Sequence, residues 1–150
     1  MIRKARITDA KDIQKMLVDQ ASQGLMLSRS LAEIYQAIRS FYVIEQDGEI
    51  VGTVSLQVWW LDLAEVRSLV VSESLKGQGC GRQLVQLCID EAKELGLNRV
   101  FALTYQEEFF AHLGFSFIEK NELPQKIWGD CMKCPKFPDC DEIAMAIDVA

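Results

Sequence analysis

No run of this 150-residue sequence comes near the ~20 consecutive apolar residues of a membrane-spanning helix, so no membrane segment is expected. Basic residues are in deficit. Lys plus Arg number 16 against 22 Asp plus Glu, a net charge of −6. That balance speaks against nucleic-acid binding, which depends on a basic surface to neutralise phosphates. Proline is scarce, and all three copies fall within 120–142. There is one histidine, His112. The N-terminus, Met1-Ile2-Arg3-Lys4-Ala5-Arg6, leads into no apolar stretch, so no signal peptide is expected and the chain reads as cytoplasmic. In that compartment five cysteines are thiols or metal ligands sooner than a disulfide framework. What is present is ordinary globular material, 49% hydrophobic and 25% charged, enough for one domain with one core.

The hydrophobic periodicity predicts a strand at Ile2–Ile7 and a helix from a Thr8 or Asp9 cap to about Gln23, ended by Gly24, with Ile13, Met16, Leu17 and Ala21 inward. Ser30 and Glu33 form a capping-box pattern that opens a second helix with Leu31, Ile34, Tyr35 and Ile38 inward. Phe41–Glu45, Asp47-Gly48 and Ile50–Val58 read as a β-hairpin. Leu63–Val71 is the next strand. A third helix, Gly79–Leu95, buries Leu84, Val85, Cys88, Ala92 and Leu95 and stops at Gly96. A strand at Arg99–Tyr105, a short helix at Gln106–Leu113 stopped by Gly114, and strands at Phe115–Glu119 and Ile143–Val149 complete the chain. The order β-α-α-β-β-β-α-β-α-β-β implies an α/β layer on a mixed, mostly antiparallel sheet.

Between the strand at 63–71 and the third helix lies Lys76-Gly77-Gln78-Gly79-Cys80-Gly81-Arg82. Its glycines let backbone approach a ligand closely, and the helix start offers N–H donors and the positive end of a dipole. That combination binds phosphate. The loop lacks the Gly-Lys-Ser/Thr ending of a P-loop, and it does not follow the first strand of a βαβ unit, as a dinucleotide-binding turn should.

This loop, its place between strand and helix, and the downstream Phe109-Phe110-Ala111-His112-Leu113-Gly114-Phe115 resemble the GNAT superfamily of N-acetyltransferases over essentially the whole chain. Met26-Leu27-Ser28-Arg29-Ser30, the 62–69 and 99–104 strands and the 108–115 segment are similar to the acetyltransferase domain of N-acetylglutamate synthases, in the short form without a kinase-like domain. The resemblance implies an α+β fold of about seven strands and four helices. It also implies an enzyme that moves acetyl from acetyl-CoA to the α-amine of L-glutamate for arginine biosynthesis. By the same resemblance, Leu69, Val70 and Val71 present backbone groups to the pantetheine arm and acetyl carbonyl, and 76–82 hold the pyrophosphate. Lys76 replaces the usual Arg or Gln, and Phe110 occupies the place of the usual thiolate-protonating Tyr beside the cofactor.

Acetyl transfer also needs a neutral amine, since an ammonium is not a nucleophile. Glu65 is the expected base, with a surface glutamate as its competing role. Tyr105 is the candidate replacement for the missing proton donor, against a role as a core or rim aromatic. Arg29 and Arg67 are the expected cations for a dicarboxylate acceptor, each with a structural ion pair as its alternative, and Thr104 is a further candidate substrate ligand. Glu65 and Arg67 are expected on one strand face. Trp59 and Trp60 could rim the substrate cleft, with at least one of them in the core. His112 is read as interacting with the C-terminal dipole of its helix, with catalysis as its alternative. Cys80 lies in the phosphate loop and is not expected to carry acetyl.

Cys131, Cys134 and Cys140 include one Cys-x₂-Cys, which suits zinc if Asp130, Asp141 or His112 completes the set. Reduced thiols, or a disulfide formed on oxidation, remain the alternatives. An acetyltransferase for a protein N-terminus, a polyamine or another amino acid is the alternative enzyme. A polyamine acceptor would call for acidic groups in place of Arg29 and Arg67. A non-catalytic acetyl-CoA or metal sensor is the alternative outside enzymes. Monomer and homodimer are both open.

Overall fold

The computed structural model describes residues 1–22, 29–123 and 142–149. The strands are β1 (Ile2–Lys4), β2 (Phe41–Gln46), β3 (Glu49–Trp60), β4 (Leu63–Val71), β5 (Arg99–Thr104), β6 (Ser116–Phe117) and β7 (Ile143–Asp148). The helices are α1 (Ala10–Ser22), α2 (Leu31–Gln36), α3 (Cys80–Glu94) and α4 (Glu107–His112). The element order is the expected one. The strands lie in the order β1-β2-β3-β4-β5-β7-β6 in a mixed seven-stranded sheet. β4 and β5 pair in parallel through Leu63–Arg99, Ala64–Val100 and Glu65–Phe101, and β1–β2, β2–β3, β5–β7 and β6–β7 are antiparallel.

The chain divides into two compact units, Met1–Gln57 with Val66–Asp90, and Val58–Glu65 with Glu91–Ala150. In the first, the apolar faces of α1 and α2 meet β2 and β4: Ile13, Leu17, Ile34, Phe41, Val43 and Val70 form the cluster. The capping box at α2 forms as expected. Ser30 Oγ accepts from the Glu33 N–H at 3.1 Å, and Glu33 Oε1 accepts from the Ser30 N–H at 3.3 Å. The β2–β3 turn is carried by Asp47 (φ 52°) and Gly48 (φ 80°), the double left-handed pair of a type I′ hairpin. Asp9 does not cap α1. It closes a 3-10 turn at Ile7–Asp9, accepting the Arg6 N–H at 2.7 Å while Arg3 donates to both of its oxygens at 2.8 and 3.1 Å. Arg3 also reaches Glu45 on β2 at 3.2 Å.

In the second unit Leu63, Phe101, Ile118, Leu123, Ala144 and Ala146 form the core, with Trp59 and Leu103 packed against it. Two glycine stops share one design. The Leu97 N–H bonds Ala92 O and the Gly96 N–H bonds Lys93 O, and the Phe115 and Gly114 N–H groups repeat that pattern on Phe110 O and Ala111 O. These are Schellman caps, and Gly96 and Gly114 supply the left-handed residue at φ 81° and 96°. Phe110 and Phe115 meet edge to face at 5.1 Å, which is the apolar contact that accompanies such a cap.

Two sets of sequence expectations need correction. Tyr35 and Leu95 are exposed, at 38% and 56%, and Leu97 just past the α3 cap is buried in place of Leu95. The strands expected at Ile2–Ile7 and Phe115–Glu119 are shorter, Ile2–Lys4 and Ser116–Phe117. Gly24 as the stop of α1 lies outside the described residues. No helix among the described residues is long and apolar enough to cross a membrane.

Candidate active site

The phosphate loop belongs to the first unit. A 3-10 turn at Glu73–Leu75 carries β4 into it. The Gln78 N–H bonds Leu75 O at 3.3 Å, and Gln78 Nε2 donates to Ser74 O at 3.2 Å, so this residue braces the loop from within. Gly77 and Gly79 have φ of 82° and 78°, which other residues adopt only under strain. A Cβ built at either position meets no atom within 4 Å, so glycine is required there by conformation and not by packing of the protein. The first bond into α3 runs from the Gln83 N–H to Gly79 O at 3.0 Å. The N–H groups of Cys80, Gly81 and Arg82 therefore precede the helical ladder, at the positive end of a 15-residue helix. Lys76 pairs with Glu73 at 3.2 Å in full solvent, an ion pair of little energetic weight. The loop has the shape and donors for a pyrophosphate.

β4 leads into that loop through Leu69, Val70 and Val71, of which Val70 is in the core and the other two are half-buried. Just before them Ser68 has φ 57°, a left-handed residue inside a strand. Such a residue kinks a strand and re-aims the residues after it.

Arg29, at the entrance to α2, is only 6% exposed. Its Nη1 donates to Ser55 Oγ on β3 and to Ser68 Oγ on β4, each at 3.3 Å, and its guanidinium lies 5.1 Å from the centre of the Phe41 ring. Ser55 in turn donates to the backbone carbonyl of Arg67 at 3.3 Å. Arg67 itself is half-buried.

The second unit holds Glu65, which is 7% exposed and so no surface glutamate. Its Oε1 accepts from the indole Nε1–H of Trp59 at 2.9 Å. Trp60, the next residue along, is half exposed, so the two indoles take opposite sides of the strand. Thr104 is buried at the end of β5, and its Oγ1 accepts the Gln106 N–H at 2.8 Å. Tyr105 follows it, half-buried. Phe110 is buried, with its ring against Phe109 and Phe115. His112 Nδ1 lies 2.7 Å from Glu108 O, one turn back on α4, in keeping with a capping role. Cys131, Cys134 and Cys140 lie outside the described residues. Among the described residues no cluster of His, Cys, Asp and Glu could hold a metal ion.

Sequence reasoning missed the partners of Arg29 and Glu65. The sequence leaves Trp59 open between rim and core, although it lies six positions before Glu65 around the turn at Leu61-Asp62, a spacing that brings hairpin residues together. Ser55 and Ser68 carry no local signal, because they reach Arg29 across separations of 26 and 39 residues.

The family model of the acetyltransferase (GNAT) family matches residues 11–115. An N-acetyltransferase of Chlorobaculum tepidum, itself uncharacterised, is 42% identical over 96% of this chain and 93% of its own length. An amino-acid acetyltransferase of Mycobacterium tuberculosis is 35% identical over 87% of this chain and 76% of its own. The crystal structure of N-acetylglutamate synthase from Neisseria gonorrhoeae, complexed with coenzyme A and N-acetyl-glutamate, superposes with a TM-score of 0.90 at 28% identity. That match covers all of this chain and 35% of the synthase. The seven-stranded sheet and these likenesses make the protein an acetyl-CoA-dependent N-acetyltransferase. The chain belongs to the acetyltransferase (GNAT) family.

Proposed function

We propose that the protein acetylates the α-amine of L-glutamate and so forms N-acetylglutamate for arginine biosynthesis. The observation that carries this reading is the buried Arg29, a cation held in place by two hydroxyls and an aromatic face in a chain of net negative charge. A buried guanidinium of fixed orientation suits a substrate carboxylate. The likeness to an amino-acid acetyltransferase and to a synthase bound to N-acetyl-glutamate supports the same choice.

When bound, acetyl-CoA supplies the activated acetyl thioester. In this reading Gly77, Gly79 and the N–H groups of Cys80, Gly81 and Arg82 hold its pyrophosphate, with Lys76 and Gln78 shaping the loop. The backbone of Leu69–Val71 lies along the pantetheine arm, and Phe110, by the family resemblance, is assigned to the cofactor. Arg29 and Arg67 hold the acceptor's carboxylates, and Thr104 adds a hydroxyl. Glu65 takes the proton from the α-ammonium, directly or through a water, and leaves the amine free to attack in a ternary complex. Cys80 forms no acetyl-enzyme, because its place is in the phosphate loop. The thiolate leaves unaided or takes a proton from Tyr105, from water or from the acceptor. The test is thiol release with L-glutamate as acceptor, with the product shown by mass to carry acetyl on the α-nitrogen.

A further inference from the structure

A serine at left-handed φ inside β4 is an uneconomical choice of residue. Glycine takes that conformation without steric cost, and asparagine and aspartate take it more readily than serine. The strain at Ser68 persists in a strand whose neighbours hold it, and an outlier of this kind points to a role for the side chain. The contact of that side chain is Arg29. The Arg29 Nη1 donates to Ser68 Oγ and to Ser55 Oγ, each at 3.3 Å. A guanidinium has only donors, so both hydroxyls must accept from it. Ser55, 1% exposed, spends its own proton on Arg67 O at 3.3 Å, and that bond turns its oxygen lone pairs toward Arg29. Phe41 lies against the guanidinium at 5.1 Å and is fully buried. The two contacts at Nη1 restrain the in-plane orientation and the aromatic ring restrains the plane.

We infer that Ser55 and Ser68 are positioning residues that set acceptor specificity by holding the Arg29 guanidinium in the orientation that receives the acceptor's carboxylate. The inference deepens the reading of Arg29 as an acceptor ligand and rests on it. A hydroxyl orients the guanidinium without itself adding a negative charge beside it. Ordering of the long arginine side chain occurs on folding and not on binding, which tightens acceptor binding. The effect is equal in ground and transition states, so it is read in KM and not in kcat.

The test compares Ser68→Gly, Ser68→Ala, Ser55→Ala and Arg29→Lys by steady-state kinetics with L-glutamate varied at saturating acetyl-CoA, alongside thermal midpoints. Loss of either hydroxyl is expected to raise the KM for glutamate by about tenfold while kcat stays within about twofold. The KM for acetyl-CoA should not move. Ser68→Gly relieves the backbone and Ser68→Ala does not, so the two should share one glutamate KM while Ser68→Gly has the higher midpoint. Those results support the inference. A glutamate KM that is unchanged in both Ser68 variants, with Arg29→Lys raised, overturns the inference and leaves the acceptor reading intact. A glutamate KM unchanged in Arg29→Lys overturns both. Should Ser55→Ala fail to fold, the Ser68 pair decides the matter alone.

Discussion

The indole Nε1–H of Trp59 donates to Glu65 Oε1 at 2.9 Å, and the carboxylate it holds is almost wholly buried. An indole can only donate, so this bond favours the ionised form of Glu65, the form a base must have. A rising limb that belongs to Glu65 is therefore expected in the pH profile of kcat/KM. Trp59→Phe keeps an aromatic ring against the core and removes the donor, so that limb should move to higher pH. Stopped-time thiol release across pH 5–9, in about half-unit steps, would read it. A limb at the wild-type position in Trp59→Phe would mean that the bond serves folding alone.

Glu65→Gln keeps an acceptor for Trp59 and removes the proposed base. Turnover should fall by roughly 10²–10⁴-fold with the thermal midpoint little changed. An unchanged turnover and pH profile would remove Glu65 from the chemistry.

The Asp9 carboxylate should matter to stability in a pH-dependent way. Arg3, hydrogen-bonded to both oxygens, holds it below the usual carboxylate range, and the Arg6 N–H acts in the same direction. With the folded value below the unfolded one, ~3.9, the stabilisation is complete above that pH and is lost as pH falls through the folded value. Asp9→Asn should thus cost about 1–3 kcal/mol at pH 7 by urea unfolding. The gap from the wild type should narrow steadily below about pH 4. A gap that is constant with pH would show that the loss is one of packing and not of charge.

At the phosphate loop, Gly79→Ala should weaken coenzyme A by ~10-fold or more, because the φ of 78° is strained for alanine and the new methyl enters open space beside the N–H donors. Titration calorimetry with coenzyme A measures it directly. Since that Cβ meets no protein atom, the thermal midpoint should fall only modestly, as for ~1 kcal/mol.

What was legible in the sequence is what short-range chemistry dictates. Asp47-Gly48 can hardly be anything but a hairpin turn, Ser30 with Glu33 builds its own box, and Gly96 and Gly114 stop their helices because they alone take the left-handed cap residue without strain. The glycine turn between β4 and α3 was readable for the same reason. Tyr35 and Leu95 were misplaced because helical period alone does not say where the partner face ends. Ser68 was invisible, since no local rule places a serine at positive φ in a strand. Arg29 and Glu65 were identified as candidates, while the groups that orient them were not, because Ser55, Ser68 and Trp59 meet them only through strand pairing and tertiary packing.

The acceptor is the central claim. Thiol release from acetyl-CoA should be measured with each of the twenty amino acids, a polyamine and a peptide with a free N-terminus, at equal concentration. L-glutamate is predicted to give the highest kcat/KM, with N-acetylglutamate as the product. Glutamate and glutamine both inert, with another amine turned over, would contradict it.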